Sequence, residues 1–336
     1  MQVTKVTDPR LADTVAELSR NMERALFEVK RLIVGQDLFL ERVMIALLSS
    51  GHLLVEGMPG LAKTLTVNTL ARVLRGEFRR IQFTPDLLPA DLIGSRVFDP
   101  GKAQFQTLLG PVFGNLLLAD EINRAPAKVQ SALLEAMQER QVTIAGTSHR
   151  LPEPFLVMAT QNPIETEGTY PLPEAQVDRF MMKLVVDYPS EEEEFVVVER
   201  VIGAPIVVQP VLTIETLLAM QRTCREIYVD PVLIRHAVRL TAATRAPAAF
   251  GKAELAPLIA HGASPRASIS MIEAARALAA LHGRPYVLAQ DISAVAADVL
   301  RHRITPSDEA LVTQTRLEDL VNALIAAIPE PAMPLD

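Results

Sequence analysis

An eight-residue run, Gly57-Met58-Pro59-Gly60-Leu61-Ala62-Lys63-Thr64, carries the residue types that hold an anion beside a divalent cation. It follows the apolar run Leu53 to Val55 and opens a helical pattern from Lys63 to Arg75. In such a strand–loop–helix unit, backbone N–H groups of the loop and of the helix N-terminus face phosphate oxygens. The lysine reaches the β- and γ-phosphates, and the threonine hydroxyl can hold Mg²⁺. The segment from Gly57 to Leu65 is therefore expected to bind a nucleoside triphosphate. One position departs from the usual pattern. Ala62 stands where glycine ordinarily precedes the lysine, and its methyl group is tolerated if the backbone there is right-handed.

Hydrolysis needs an acidic residue on the metal and a group that positions the attacking water. Asp120-Glu121 supplies both, at the end of the apolar run Asn115 to Ala119. Open α/β sheets bind ligands at the carboxyl ends of such strands. Asp120 is expected to hold Mg²⁺ through water, and Glu121 to orient and deprotonate the lytic water. Asn162 follows a further apolar run, Phe155 to Thr160. Its amide reaches the γ-phosphate or the water if that strand lies beside both the Leu53 and the Asn115 strands. Transition-state charge is often neutralised by an arginine, in cis or from a neighbouring subunit. Arg179, after a short helical piece from Glu174, and Arg266, before a helix at Ser268, are the candidates. By their surroundings alone both read first as surface ion-pair residues.

The elements that must position these groups alternate in the α/β manner. Leu18, Met22, Leu26 and Val29 recur at helical spacing within Asp13 to Ile33, and a second helix covers Leu38 to Ser49. Arg79 to Phe83 and Phe180 to Val186 complete the strands. Thr84 to Asn115 is long and irregular, with pieces Val97-Phe98 and Gln104 to Thr107 flanking Asp99-Pro100-Gly101, which suggests an inserted hairpin. Gln141 to Ile144 and Ser148 to Leu151, around Gly146, suggest another. Pro126 suits the first turn of a helix whose apolar stripe is Val129, Leu133, Leu134 and Met137. After Tyr188-Pro189 only helices are expected: Ile214 to Ile227, Pro231 to Ala243, Ser268 to Leu281 and Asp291 to Arg303. Ser190 and Glu193 have capping-box spacing, so the Glu191 to Glu194 run reads as an acidic first turn.

The chain has 336 residues, a soft prior for about two domains. Hydrophobic residues make up 49% and charged residues 22%, the proportions of a soluble globular protein. The net charge of −7 and 4% aromatic content argue against an electrostatic or base-stacking nucleic-acid binder. Cys224 is the single cysteine, so neither an internal disulfide nor a cysteine metal site can form, and a buried bystander is expected. Met1 to Arg10 is polar, and no apolar run approaches a bilayer-spanning length. A cytoplasmic protein is the expectation.

Several longer segments resemble the MoxR family of AAA+ ATPases. They are Asp120-Glu121-Ile122-Asn123-Arg124-Ala125-Pro126-Ala127-Lys128-Val129-Gln130 with Leu133-Leu134-Glu135-Ala136-Met137, Ala159-Thr160-Gln161-Asn162-Pro163, and Gly168-Thr169-Tyr170-Pro171-Leu172-Pro173-Glu174-Ala175-Gln176. The Ala62 variant of the loop belongs to the same pattern. The resemblance implies a five-stranded parallel αβα core over residues 1–188 and a helical lid over 189–336. It implies insertions in helix 2 and before the sensor-1 strand. It assigns Lys63 and Thr64 as Walker A, Asp120 and Glu121 as Walker B, Asn162 as sensor 1, Arg179 as arginine finger and Arg266 as sensor 2, in cis or in trans. Val34-Gly35-Gln36 would lie near the adenine. The implied activity is ATP hydrolysis with Mg²⁺ in a homo-oligomeric ring, a hexamer, that matures or remodels client proteins, often ones with a von Willebrand factor A domain. The alternatives are a metal-chelatase motor subunit, a nucleic-acid motor, and a nucleotide-controlled switch or scaffold with negligible turnover. Few basic residues mark the hairpins, which disfavours the nucleic-acid motor.

Overall fold

Apolar runs with no polar face need cover on both sides, which a parallel sheet between helices supplies. The computed structural model describes residues 9–58, 60–162 and 168–332. Helices α1 (Pro9–Lys30) and α2 (Asp37–Ser49) lead into β1 (Leu53–Gly57), α3 (Lys63–Val73) and β2 (Phe78–Gln82). Helix α4 (Pro89–Ile93) precedes a hairpin of β3 (Gly94–Asp99) and β4 (Gln104–Leu109). Next come β5 (Leu116–Asp120), α5 (Ala127–Glu139), a second hairpin of β6 (Gln141–Ile144) and β7 (Thr147–Arg150), and β8 (Leu156–Gln161). The short α6 (Glu174–Val177) and β9 (Met182–Val186) follow. The rest of the chain carries α7 (Glu191–Ile202), α8 (Ile214–Glu226), α9 (Pro231–Arg245), β10 (Ile259–His261), α10 (Pro265–Leu281), α11 (Ala289–Leu300), β11 (Thr305–Pro306), α12 (Asp308–Val312) and α13 (Leu317–Ala326).

The five-stranded parallel sheet has the order β2-β5-β8-β1-β9. Leu53–Val55, Leu116–Ala119 and Leu156–Ala159 are buried, as central strands covered on both faces must be. β8 pairs with β1 through Leu54↔Ala159 and with β5 through Leu118↔Met158. It therefore lies between the strand that feeds the loop and the strand that ends in Asp120, the arrangement Asn162 needed. Both expected hairpins are antiparallel ribbons, with Phe98↔Phe105 paired in one and Thr143↔Ser148 in the other.

Several boundaries differ from expectation for local reasons. α3 stops at Val73, because Arg75 turns left-handed (φ 51°) and the Gly76 N–H returns to the Ala71 carbonyl at 2.8 Å. That is a Schellman-type stop in which arginine takes the left-handed place. Pro126 is the N-cap of α5 and stands just outside its first turn. The segment after Pro189 holds more than helices: β10 and β11 form a small antiparallel ladder. Strands of two or three residues are too short to show a period. The Ser190 capping box forms in both directions, with Ser190 Oγ accepting from Glu193 N–H and the Ser190 N–H donating to Glu193 Oε2 at 2.9 Å. Cys224 is buried, and burial pushes its thiol up to about 12, so it is an inert core group. Among the described residues no helix is long and apolar enough to cross a membrane.

The chain divides into two compact units. One comprises Asn21–Arg179 and Leu184–Ala219 and holds most of the sheet. The other comprises the described residues of Met1–Arg20, Phe180–Lys183 and Met220–Asp336. Its core is α10, whose Ala267, Ala274, Ala275, Ala277, Ala279 and Ala280 are all buried. In this unit the buried Arg303 guanidinium donates to the carbonyls of Phe180 and Met181 at 2.7 and 3.1 Å.

His52, just before β1, is buried and ties three elements of the first unit. Its Nδ1 accepts the Val157 N–H at 3.0 Å, and Nε2 lies 3.3 Å from the Met137 carbonyl. Burial first, and the Arg140 charge second, push its pKa down to about 3. The unfolded chain takes up a proton near pH 6.5 and the folded one does not. Stability is therefore fully present above that pH and falls as pH drops from about 6.5 towards 3, by up to about 1.4 kcal/mol per unit. Urea unfolding at pH 7 and 5.5 should show His52→Gln losing about 1 kcal/mol less than the wild type over that interval. An identical loss in both proteins would contradict this placement of His52.

Candidate nucleotide site

β1 ends at Gly57, where any Cβ would lie 2.7 Å from the Val186 carbonyl of β9, so only glycine fits. The chain then turns over the carboxyl edge of the sheet. Gly60 takes φ 88°, and Ala62, the N-cap of α3, takes φ 56° and ψ 13°. The right-handed backbone that would have made the methyl group easy to accept is thus not what forms. The loop requires a left-handed residue there and accepts an alanine in place of glycine. The left-handed region costs an L-residue about 1–2 kcal/mol. Glycine would lose about 0.4–1 kcal/mol of that gain through its freer unfolded chain. Ala62→Gly should therefore raise folding stability by about 0.5–1 kcal/mol, read as a higher urea midpoint. A lower midpoint would exclude the left-handed turn.

Lys63 opens α3, and its Nζ donates to the Gly57 carbonyl at 2.7 Å. An ammonium has three N–H groups, so two remain for phosphate oxygens. Burial pulls the Lys63 pKa down, and the charges of Asp120 and Glu121 oppose that fall.

The acidic pair is held from two neighbouring strands. Asp120 Oδ1 accepts the Thr160 hydroxyl at 2.6 Å, and Oδ2 accepts Arg80 Nη2 at 2.7 Å. Glu121 Oε2 accepts Gln82 Nε2 at 2.8 Å and Arg124 Nε at 2.9 Å. Glu121 is itself left-handed, φ 56°, with its N–H donating to Thr160 Oγ1 at 2.9 Å. That turn carries the glutamate past the strand end. Strained backbone of this kind gathers where a site over-determines it. Beneath it the buried Gln130 amide donates to the carbonyls of Ile122, Ala125 and Tyr170 at 3.2, 3.1 and 3.0 Å, pinning the segment after Glu121.

A cavity of about 400 Å³ is lined by Gly57, Gly60, Leu61, Ala62, Lys63, Thr64 and Leu65, by Asp120 and Glu121, and by Asn162. The Thr64 hydroxyl and the Asp120 carboxylate are hard oxygen donors of the kind Mg²⁺ takes, so the residues fit that ion. Gln36, left-handed at φ 55° beside Val34 and the left-handed Gly35, approaches the loop with Nε2 at 3.4 Å from the Leu61 carbonyl. Gln36 Oε1 is buried without a partner. Met58 is half-buried, and Pro59 lies outside the described residues. Arg179 does not line this cavity. Its Nη1 donates to the Leu134 carbonyl of α5 at 2.9 Å, and its buried Nε has no partner. Arg266 stands in the first turn of α10, its N–H 3.1 Å from the Ser264 cap oxygen. Arg80, Gln82 and Thr160 also line the cavity and went unnoticed in the sequence. The signal for Thr160 was a hydroxyl closing an otherwise apolar strand. For Arg80 and Gln82 there was none, because their relation to Asp120 and Glu121 depends on β2 lying beside β5.

The family described as "ATPase family associated with various cellular activities (AAA)" matches residues 52–182, and "AAA lid domain" matches 251–323. The chain is 51% identical over 323 residues to Chaperone MoxR1 of Mycobacterium tuberculosis, covering 96% of this chain and 86% of that one. It is 41% identical over 310 residues to YeaC of Bacillus subtilis, covering 92% and 94%. A crystal structure from Cytophaga hutchinsonii, described as an ATPase, superposes with a TM-score of 0.90 at 44% identity, covering 96% of this chain and 98% of that one. With the five-stranded parallel core and the lid segment in place, the chain belongs to the MoxR family of AAA ATPases.

Proposed function

We propose that this protein binds ATP in the cavity at Lys63 and hydrolyses it to ADP and phosphate. It would do so as a subunit of a homo-oligomeric ring, a hexamer, that remodels or matures client proteins in the cytoplasm. The observation that carries the reading is that Lys63, Thr64, Asp120, Glu121 and Asn162 line one cavity at the carboxyl edge of the sheet. In this reading residues 1–188 are the nucleotide-binding core and 189–336 the lid.

The loop N–H groups and Lys63 hold the β- and γ-phosphates of ATP. Thr64 and Asp120 hold Mg²⁺, which when bound neutralises charge on those phosphates. Glu121 takes the proton of the water that attacks the γ-phosphorus. Gln82 and Arg124 donate to Oε2, and Oε1 is the oxygen that would take that proton. Asn162 orients the water or the γ-phosphate. Arg179 has an unpartnered Nε and no place in its own cavity, which supports a role across an interface, in the neighbour's site. Val34, Gly35 and Gln36 flank the base, and Arg266 acts from the lid. The exposed Phe98, Phe105 and Leu109 of the first hairpin suit contact with a client protein, and a client with a von Willebrand factor A domain follows from the family pattern.

Phosphate release should start with ATP and Mg²⁺ and stop on chelation. No release above buffer would remove the enzymatic reading and leave a nucleotide-controlled scaffold.

A further inference from the structure

Two helices present apolar ridges to solvent, and their flanking charges are opposite. On α7, Phe195, Val198 and Ile202 fall on one face and are 69%, 51% and 79% exposed. The helix cannot turn this ridge inward. Its opposite face carries Arg200, whose Nη1 donates to the carbonyls of Lys30 and Arg31 at 2.9 and 3.0 Å. Glu194 and Glu199 flank the ridge and are exposed. On α9, Leu233, His236, Ala237 and Leu240 are buried and fix the inner face. Its outer face shows Ile234 and Val238, 45% and 46% exposed, beside the exposed Arg235 and Arg239.

Soluble chains rarely leave such a ridge uncovered along a whole helix, and a rimmed apolar patch marks an interaction surface. Here the chain carries both an acidic and a basic version of it, on different compact units. A head-to-tail contact between copies uses two different, complementary patches of one chain, and it builds a ring where the rotation between copies closes. A two-fold axis that set either helix against its own copy would instead put acid against acid or base against base, so α7 meets α9.

The geometry points to α7 of one copy packing against α9 of the next, with Phe195, Val198 and Ile202 against Ile234 and Val238, and Glu194 and Glu199 facing Arg235 and Arg239. The partner is therefore a second copy of this chain. The inference rests on the ring reading given above and names the surface that builds the ring. Opposed charges fix the direction of travel around it, since like-charged faces are excluded.

The test uses two charge-reversed full-length chains, one with Glu194→Arg and Glu199→Arg, the other with Arg235→Glu and Arg239→Glu. Assembly is followed by sizing with light scattering in ATP and Mg²⁺. Each variant alone should need at least tenfold more protein to assemble than the wild type. Mixed in equal amounts they should assemble again, because every contact in an alternating ring then joins opposite charges. That recovery also shows that both variants are folded. Assembly of both variants at wild-type concentrations overturns the inference and leaves the ring reading standing. It is the result expected if the α7 ridge serves a client. Loss of assembly without recovery on mixing also overturns the inference. A wild-type chain that stays monomeric removes the ring reading and the inference with it.

Discussion

Replacing Glu121 with glutamine should slow ATP hydrolysis by about two to four orders of magnitude while leaving nucleotide affinity within a few-fold of the wild type. The amide has the size of the carboxylate, and its oxygen can still accept from Arg124 and Gln82. It cannot take a proton from water. The residues proposed to cradle phosphate, in the loop from Gly57 to Lys63 and Thr64, stand on β1 and α3 and on the loop between them, away from the Glu121 side chain's own partners. Affinity and turnover should therefore separate, as expected when an interaction is made only in the transition state. Fluorescent-nucleotide titration and phosphate release, run on the same preparation, read the two quantities. A variant that hydrolyses at the wild-type rate would place the base elsewhere. If affinity collapsed as well, Glu121 would be chiefly a structural partner of Arg124. The expected form of the variant holds ATP without spending it, which makes it the natural bait for client proteins.

Arg179→Ala should reduce turnover by about three orders of magnitude or more if the guanidinium neutralises transition-state charge. Arg179 also has a structural contact, the 2.9 Å bond to the Leu134 carbonyl. Losing that bond costs about 1 kcal/mol of stability, far less than the effect on turnover. Urea unfolding of the variant separates the two. Nucleotide binding to the chain's own cavity should persist, since Arg179 does not line it. Arg179→Lys should recover little, because lysine keeps the charge and loses the planar fork. Wild-type turnover in Arg179→Ala would reduce this arginine to a prop for α5.

Much of the site was readable because its chemistry is local in sequence. The loop needs glycines and Lys-Thr in fixed order between a strand and a helix, and the acidic pair must end an apolar strand. The central place of β8 could only be stated as a condition for Asn162, and the strand order meets it. Ala62 shows the opposite case. Alanine alone prefers a right-handed backbone, yet the loop's need to turn Lys63 into the helix overrides that preference. Arg80 and Gln82 show a third. β2 is a short strand with exposed, polar alternate residues, and nothing in its own pattern says which strand it joins. Only the parallel register Gln82↔Asp120 brings it against the acidic pair. The same holds for α7. Its acidic start was legible as a capping box, whereas the exposure of Phe195, Val198 and Ile202 depends on which face Arg200 anchors.

The central claim is that ATP is cleaved at an interface, with Glu121 from one chain and Arg179 from the next. Mixing Arg179→Ala chains with Glu121→Gln chains tests it most directly. A site that pairs the intact Glu121 of the first with the intact Arg179 of the second is complete, though neither variant is active alone. Random equal mixing in a head-to-tail ring makes about a quarter of all sites complete. Phosphate release should therefore rise from near background to about a quarter of the wild-type rate per chain. A mixture no more active than the two variants measured separately would contradict the account.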